Sequence, residues 1–508
     1  MNHVLYGIAA NPALPSELVD RLIEIADEEM AIALADRVDL SVTQAVALAA
    51  RRPATVARLV VAGLLTTDVV DPAKQPRAAL ALLAKGAGNP AWARELATDA
   101  VVEHRLTLAG CPGLAADVVD VLAADPDPRV VAELALWTTS AVIAARLAEH
   151  PHAEVRSAAA LNEATPPAVL AALLTGEGLL AATRCLVCDR EEIPFVHDPH
   201  CPRTDCTLRP GAACHGSHES TVTEMHHRAL RNPASPAAAV IAFADHPSML
   251  LRQQLAARLD LPPAIHRRLA EDPIPGVRSE LAENPAIDDT LIRVLAHDQG
   301  HDVQRRLAHN PNVPLDVLND LARTTKIGPT LLPRIAAASP VEVQELAASP
   351  NPVIRMLLAQ RRDLPAKVRE TLAADPDAKV AKSIAPHPGL HEAHLRTMIE
   401  RHGVKVLAAV AMNPDASPAL LHDLVRHEPA ARKAFRAIAR HPNATASALL
   451  ACLSDKRARP HAAGHPALPP LVITQLLNDD DWQTVEAAAA NAFLPLAAIK
   501  PLIPGSVP

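Results

Sequence analysis

Aromatic side chains are nearly missing from this chain: three Trp, one Tyr and four Phe in 508 residues. An interior built on packed rings is excluded, so Leu, Val, Ile and Ala must form the core. Catalytic signatures are missing too. There is no P-loop, no G-x-S-x-G, no glycine-rich dinucleotide fingerprint and no HExxH. The His-x-Glu…Pro-Cys-x-x-Cys arrangement of zinc deaminases is also absent. The sequence therefore nominates no catalytic residue, and a non-enzymatic role is expected. Net positive charge is lacking: the formal balance is −8, which gives no global attraction to nucleic acid or anionic lipid. No apolar run approaches the roughly 20 residues needed to span a bilayer. The first residues, MNHVLYGIAANPALPSELV, lack the basic and long apolar regions of a secretory signal. Cysteine is sparse, with seven residues, but five of them fall between Cys185 and Cys214. That clustering points to a metal site in a reducing compartment rather than a disulfide framework. A cytoplasmic location is expected.

What the chain has in abundance is proline, 47 residues against 17 glycines, and the prolines keep a phase. Asn284-Pro285 opens a unit, an apolar helix pattern follows at Leu291, Ile292 and Leu295, and a turn falls at Asp298. A second apolar pattern at Val303 and Leu307 leads to Asn310-Pro311, which begins the next unit 26 residues on. Arg258 precedes Asn284 in the same phase. Asn11 and Arg37 keep it, with Asn89 further on, and so do Arg361, His387, Asn413, His441, His465 and Asn491. Self-similarity at this period marks a solenoid, in which one unit cannot bury its apolar face alone and neighbours must stack. An all-α array of roughly 18 two-helix units is expected. Helices are expected even through the degenerate stretch 52–88. Asp127 is expected to cap a helix beginning at Pro128, and Thr165 to cap another.

The rhythm breaks once. From Asn162 to the next clear opener, Asn232, is 70 residues, where one unit needs 26. The excess is rich in Cys, His, Asp and Pro, and it falls at the turn between a unit's two helices. Three regions result: a repeat block over 1–184, a Cys/His-rich metal-binding insert over 185–220, and a second repeat block over 221–508. Cys185-x2-Cys188 followed by Cys201 and Cys206 is a zinc spacing, with Cys214 and His218 as alternates. In a segment too poor in apolar residues to form a core, the ion would supply the folding energy. Glu191, Glu192 and Glu219 are the nearest candidate bases, and His226-His227 are expected to face solvent or cap the module.

The Asn-Pro openers (Asn11-Pro12, Asn284-Pro285, Asn310-Pro311, Asn413-Pro414), the Leu-Ala ends of first helices and the Val-Arg starts of second helices (Val155-Arg156, Val277-Arg278) resemble the bacterial leucine-rich repeat variant family. The resemblance implies a 3₁₀-like helix alternating with an α-helix in a right-handed superhelix; two α-helices per unit would place the chain nearer to HEAT-like arrays. Cys214-His215-Gly216-Ser217-His218 resembles the Cys-Asp-Gly-Ser-His motif of a family of [2Fe–2S] proteins, which implies an alternative iron–sulfur set of Cys201, Cys206, Cys214 and His218.

The remaining candidates read as parts of the repeat. Cys111 and Cys452 are expected in the core, and His387, His441 and His465 as turn residues bonding a helix end. Arg156, Arg278 and Arg355 are expected on a solvated face interleaved with acids, with an acidic-ligand or phosphate track as the functional alternative. Asp479-Asp480-Asp481 is expected as a polar loop. The leading reading is a scaffold for protein–protein interaction with a structural zinc. An iron–sulfur redox sensor and a nucleic-acid-binding HEAT-like solenoid are alternatives, the last disfavoured by charge and by the lack of aromatics.

Overall fold

The computed structural model describes residues 2–189, 218–427 and 431–505. The candidates Glu191, Glu192, Cys201, Cys206 and Cys214 lie outside them. The fold is all-α and solenoid-like: short helices pack on their neighbours, and the described residues hold no strand beyond one isolated bridge. The chain divides into two compact units, Leu65–Asn312 and a second made of Met1–Leu64 with Val313–Pro508.

Within Leu65–Asn312 a repeat is built as its pattern dictates. Asp288 caps the helix Asp289–Leu295, accepting from the Leu291 N–H, and Leu291, Ile292 and Leu295 are buried. The helix His301–Leu307 follows and buries Val303 and Leu307. The opener then locks one repeat onto the previous one. The Asn310 Nδ2 donates to the carbonyls of Ala282 (3.0 Å) and Asn284 (2.8 Å), and its Oδ1 accepts from the Asn312 N–H (2.8 Å). Asn284 does the same to Ala256 and Arg258. Carbonyls at the end of a helix have no intrahelical partner, and a buried amide with two donors satisfies two of them at once. Where Arg258 replaces Asn, its Nη1 reaches Leu230 and Asn232, while Nε and Nη2 grip Asp260 two residues on.

A second seam runs beside the first. Arg252 and Arg278 each form a forked pair with the Asp 20 residues later, Asp272 and Asp298. Each Asp also accepts the backbone N–H two residues on, closing its own turn. Arg105 and Asp125 repeat this earlier in the unit. In the other unit Arg355 and Asp375 do so. These guanidiniums are thus half-buried and already neutralised, contrary to the solvated face expected of Arg278 and Arg355.

Other local expectations divide. Asp127 caps Pro128–Trp137 as expected. Thr165 caps nothing: Pro166 holds the cap position of Pro167–Thr175, and the Thr165 hydroxyl donates back to the Ala159 carbonyl. Asn89 keeps the phase but not the seam, since it is exposed and caps Pro90–Leu96. The first helices Pro263–Ala270, Asp289–Leu295 and Pro167–Thr175 are α-helical; the one after Asn232 is α over Ala237–Val240 and 3₁₀ over Ile241–Asp245. The stretch 52–88 is helical over Pro53–Thr55, Val56–Val61 and Pro76–Ala84, with irregular chain between the last two.

The unit of Met1–Leu64 and Val313–Pro508 uses the same seams, but their order departs from chain order. The helix His3–Ala10 packs on Trp482–Ala489, and the Asn11 Nδ2 donates to Ala489 (3.0 Å) and Asn491 (2.8 Å). The first opener therefore rests on the last one, as Asn310 rests on Asn284. Gly7 makes the approach possible, because a Cβ there would collide with the Glu486 carbonyl and the Ala489 side chain. His387, His441 and His465 stand at opener positions, and their Nε2 atoms meet carbonyls of the preceding repeat: Ala359 (2.7 Å), Asn413 (2.8 Å) and His441 (3.1 Å). Asp479 pairs with Arg459, and Asp481 caps Trp482–Ala489, so these two acids belong to the seam rather than to a polar loop.

Candidate metal centre

The insertion leaves and rejoins the array between the two helices of one repeat. Helix Pro167–Thr175 ends on Gly176 in the left-handed conformation (φ 73°), where a side chain would be strained. The chain then turns back along the entrance of helix Ala153–Leu161. Thr183 and Arg184 donate to the Pro151 carbonyl, and Ala153 donates to Arg184, making the isolated parallel bridge between His152 and Arg184. That pairing sets Cys185 at the start of a tight turn. The Cys188 N–H points at the Cys185 Sγ (3.4 Å), and the Asp189 N–H donates to the Cys185 carbonyl (3.1 Å). On the return, His218 occupies the N-cap of Glu219–Arg231.

Cys185, Cys188 and His218 converge: Sγ to Sγ is 3.2 Å, and the Cys188 Sγ to the His218 Nδ1 is 3.5 Å. Two thiolates and an imidazole around one tetrahedral ion would stand about 3.6–3.8 Å apart, so the three donors fit one ion after a small adjustment. Cys185 is 1% exposed, His218 is 4% exposed, and Cys188 is open to solvent. His218 has φ 51°, the one described non-glycine residue with positive φ. A histidine is held in that region only when its surroundings over-determine it, and ligation by Nδ1 is one such constraint.

The centre is tied to the repeat beneath it. Asp189 sits beside the His152 Nε2 (3.1 Å) and is forked by Arg184 (3.1 and 3.0 Å). The Glu154 Oε1 accepts from the Leu186 N–H (3.0 Å) and the Thr221 hydroxyl (3.2 Å), joining the start of the insertion and the helix that follows it to one carboxylate. The His152 Nδ1 stands 3.0 Å from the Glu154 Oε2, off the line of a hydrogen bond. Reading in sequence order finds Cys185, Cys188 and His218. It misses His152, Glu154 and Asp189, whose only signal is an acid directly after the Cys-x2-Cys pair.

Of the other nominees, Cys111 and Cys452 are buried core thiols, pushed up by burial to about 11 and about 12 and therefore poor nucleophiles. His226 does not face solvent. It is half-buried, edge-on to Phe243, with burial holding its imidazole below the ordinary value. No helix among the described residues is long and apolar enough to cross a membrane. No known protein-family model matches the chain, and a search of curated proteins finds no match.

Proposed function

We propose that the chain is a non-enzymatic repeat scaffold of the leucine-rich repeat variant or HEAT-like kind that binds a partner protein. In this reading its insertion is pinned by a structural zinc ion on Cys185, Cys188, His218 and one of Cys201, Cys206 and Cys214. The observation that carries the reading is the convergence of two thiols and an imidazole beside the buried His152 and the carboxylates of Glu154 and Asp189. Thiolate and imidazole donors suit zinc, and a four-ligand site with no open position is structural rather than catalytic. Bound there, the ion would cross-link the two ends of the insertion, while Glu154 and Asp189 fix that cross-link to the array. Protein binding is the commonest use of a repeat surface, an argument from fold. The pairing of Arg252, Arg278 and Arg355 with aspartates removes the charge that a nucleic acid would need.

Metal analysis and an absorption spectrum of anaerobically purified protein test the ion. About one zinc per chain and no visible band is the expected result. A brown protein absorbing near about 400 nm would replace zinc with an iron–sulfur cluster, the reading favoured by His218 standing among the donors at the end of Cys214-His215-Gly216-Ser217-His218. Affinity capture with cross-linking tests the scaffold role, which fails if only nucleic acid is retained.

A further inference from the structure

Arg156 stands in the arginine–aspartate seam without an aspartate. Counting 20 residues from Arg105, Arg252, Arg278, Arg355 and Arg459 arrives each time at an aspartate that the arginine binds. Counting 20 from Arg156 arrives at Gly176, because the insertion has remade that turn. Arg156 is 7% exposed, and its guanidinium meets only carbonyls: His150 from Nε, Leu180 from Nη1 (2.6 Å) and Glu149 from Nη2 (3.2 Å). Those bonds use three of its five N–H donors. A buried cation hydrogen-bonded only to carbonyls is costly, and the nearby Glu149 carboxylate offsets that cost only in part, at a distance and without a hydrogen bond. Burial accordingly holds Arg156 below its ordinary value, whereas the aspartate bond raises Arg252, Arg278 and Arg355.

Beside this cation lies a cavity of about 420 Å³, within the ~300–1,000 Å³ range of small-molecule sites. Its walls are mostly apolar, with Ala172 and Leu173 from one helix, Leu179 from the following turn, and Val222 and Met225 from another helix; Thr221 and His226 add polar edges. We propose that this cavity binds a small carboxylate with an apolar body, which supplies the negative charge that an aspartate supplies in the other repeats but meets the outer Nη1 and Nη2 groups, since the Nε N–H is held by the His150 carbonyl. The two unused N–H groups of Arg156 donate to it, and the aliphatic walls take the body. The site is separate in chemistry from the metal centre, although His218 borders both.

Calorimetric titration of the full, metal-loaded chain with octanoate, 1-octanol and octylammonium tests this. Octanoate should bind about tenfold or more tighter than octanol, the worth of a charge-assisted pair, and octylammonium should not bind. Arg156→Gln should bring octanoate and octanol within about twofold. Ala172→Phe, which fills the cavity from its apolar wall, should abolish binding of both while metal content and helicity stay as in the wild type. If Arg156→Gln fails to fold, Ala172→Phe still decides the matter. Octanoate binding no tighter than octanol in the wild type overturns the proposal, as does undiminished binding in Ala172→Phe.

Discussion

An amide, a guanidinium and an imidazole meet one demand at the repeat seam: each carries N–H donors to buried carbonyls of the preceding repeat. Asn310 does so with no surface exposed. Asn310→Ala would orphan the Ala282 carbonyl and the Asn312 N–H and leave the Asn284 carbonyl only the Ile287 N–H, at a cost of about 2–3 kcal/mol. Asn310→His should recover part of that loss, as His441 does at its own seam by bonding the Asn413 carbonyl and accepting the Asn443 N–H. Urea unfolding of the two variants measures the difference. His387 is less well served. Its Nδ1 is buried without a partner, because the amide two residues on belongs to Gly389 and turns to Asp415 instead. Burial holds the His387 pKa below the ordinary histidine value; the Ala359 carbonyl opposes this, and Arg362 and Arg369 add to it. A histidine with a lowered folded pKa contributes stability in full above about pH 6.5 and loses it as pH falls through the folded value. Midpoints measured between pH 7.5 and 5 should drop for the wild type and drop less for His387→Asn. Equal slopes would remove His387 from the account.

At the scale of elements, the paired aspartates set a second acid limit. Burial pushes Asp272 and Asp298 up, but their arginine and backbone bonds outweigh it, so both lie below the ordinary carboxylate range. Their contribution is present above about pH 4 and is lost as pH falls through the folded values. The wild type should therefore show a further fall in stability below about pH 4, and Asp298→Asn should flatten part of it. The insertion behaves as an appendage to these seams. The Asn232 Nδ2 bonds Ala160 (3.0 Å) and Asn162 (2.9 Å) directly, across 70 residues of chain, so the seam passes beneath the insertion without using it. Cys185→Ser with Cys188→Ser should abolish metal binding and open the 177–218 region to protease. The main thermal transition should move by no more than about 2 °C. A collapse of the whole transition would contradict the seam's independence.

The period was legible because Asn-Pro openers recur on a fixed step, and the converging pair Cys185 and Cys188 because Cys-x2-Cys is a local pattern. The arginine–aspartate pairing was not. Each partner belongs to a different repeat, and alone each resembles ordinary surface charge. The clamp of His152, Glu154 and Asp189 was hidden for the same reason, being made by a bridge that only the folded turn creates. Asn89 misled because capping its own helix and reaching the previous repeat call for the same residue type.

At the scale of the whole molecule, one compact unit joins layers from opposite ends of the chain, His3–Ala10 against Trp482–Ala489. Gly7→Leu would drive a side chain into the Glu486 carbonyl and Ala489. Overpacking of this kind costs about 1–3 kcal/mol and should show as early proteolysis around the helix His3–Ala10, with the Leu65–Asn312 unit unaffected. The joint also has a bearing on biosynthesis. Asn11 and Asn491 are 480 residues apart, so the helix His3–Ala10 leaves the ribosome long before its mate exists. At roughly 5–20 residues per second it waits on the order of half a minute or more, an interval in which its apolar face is open to a chaperone.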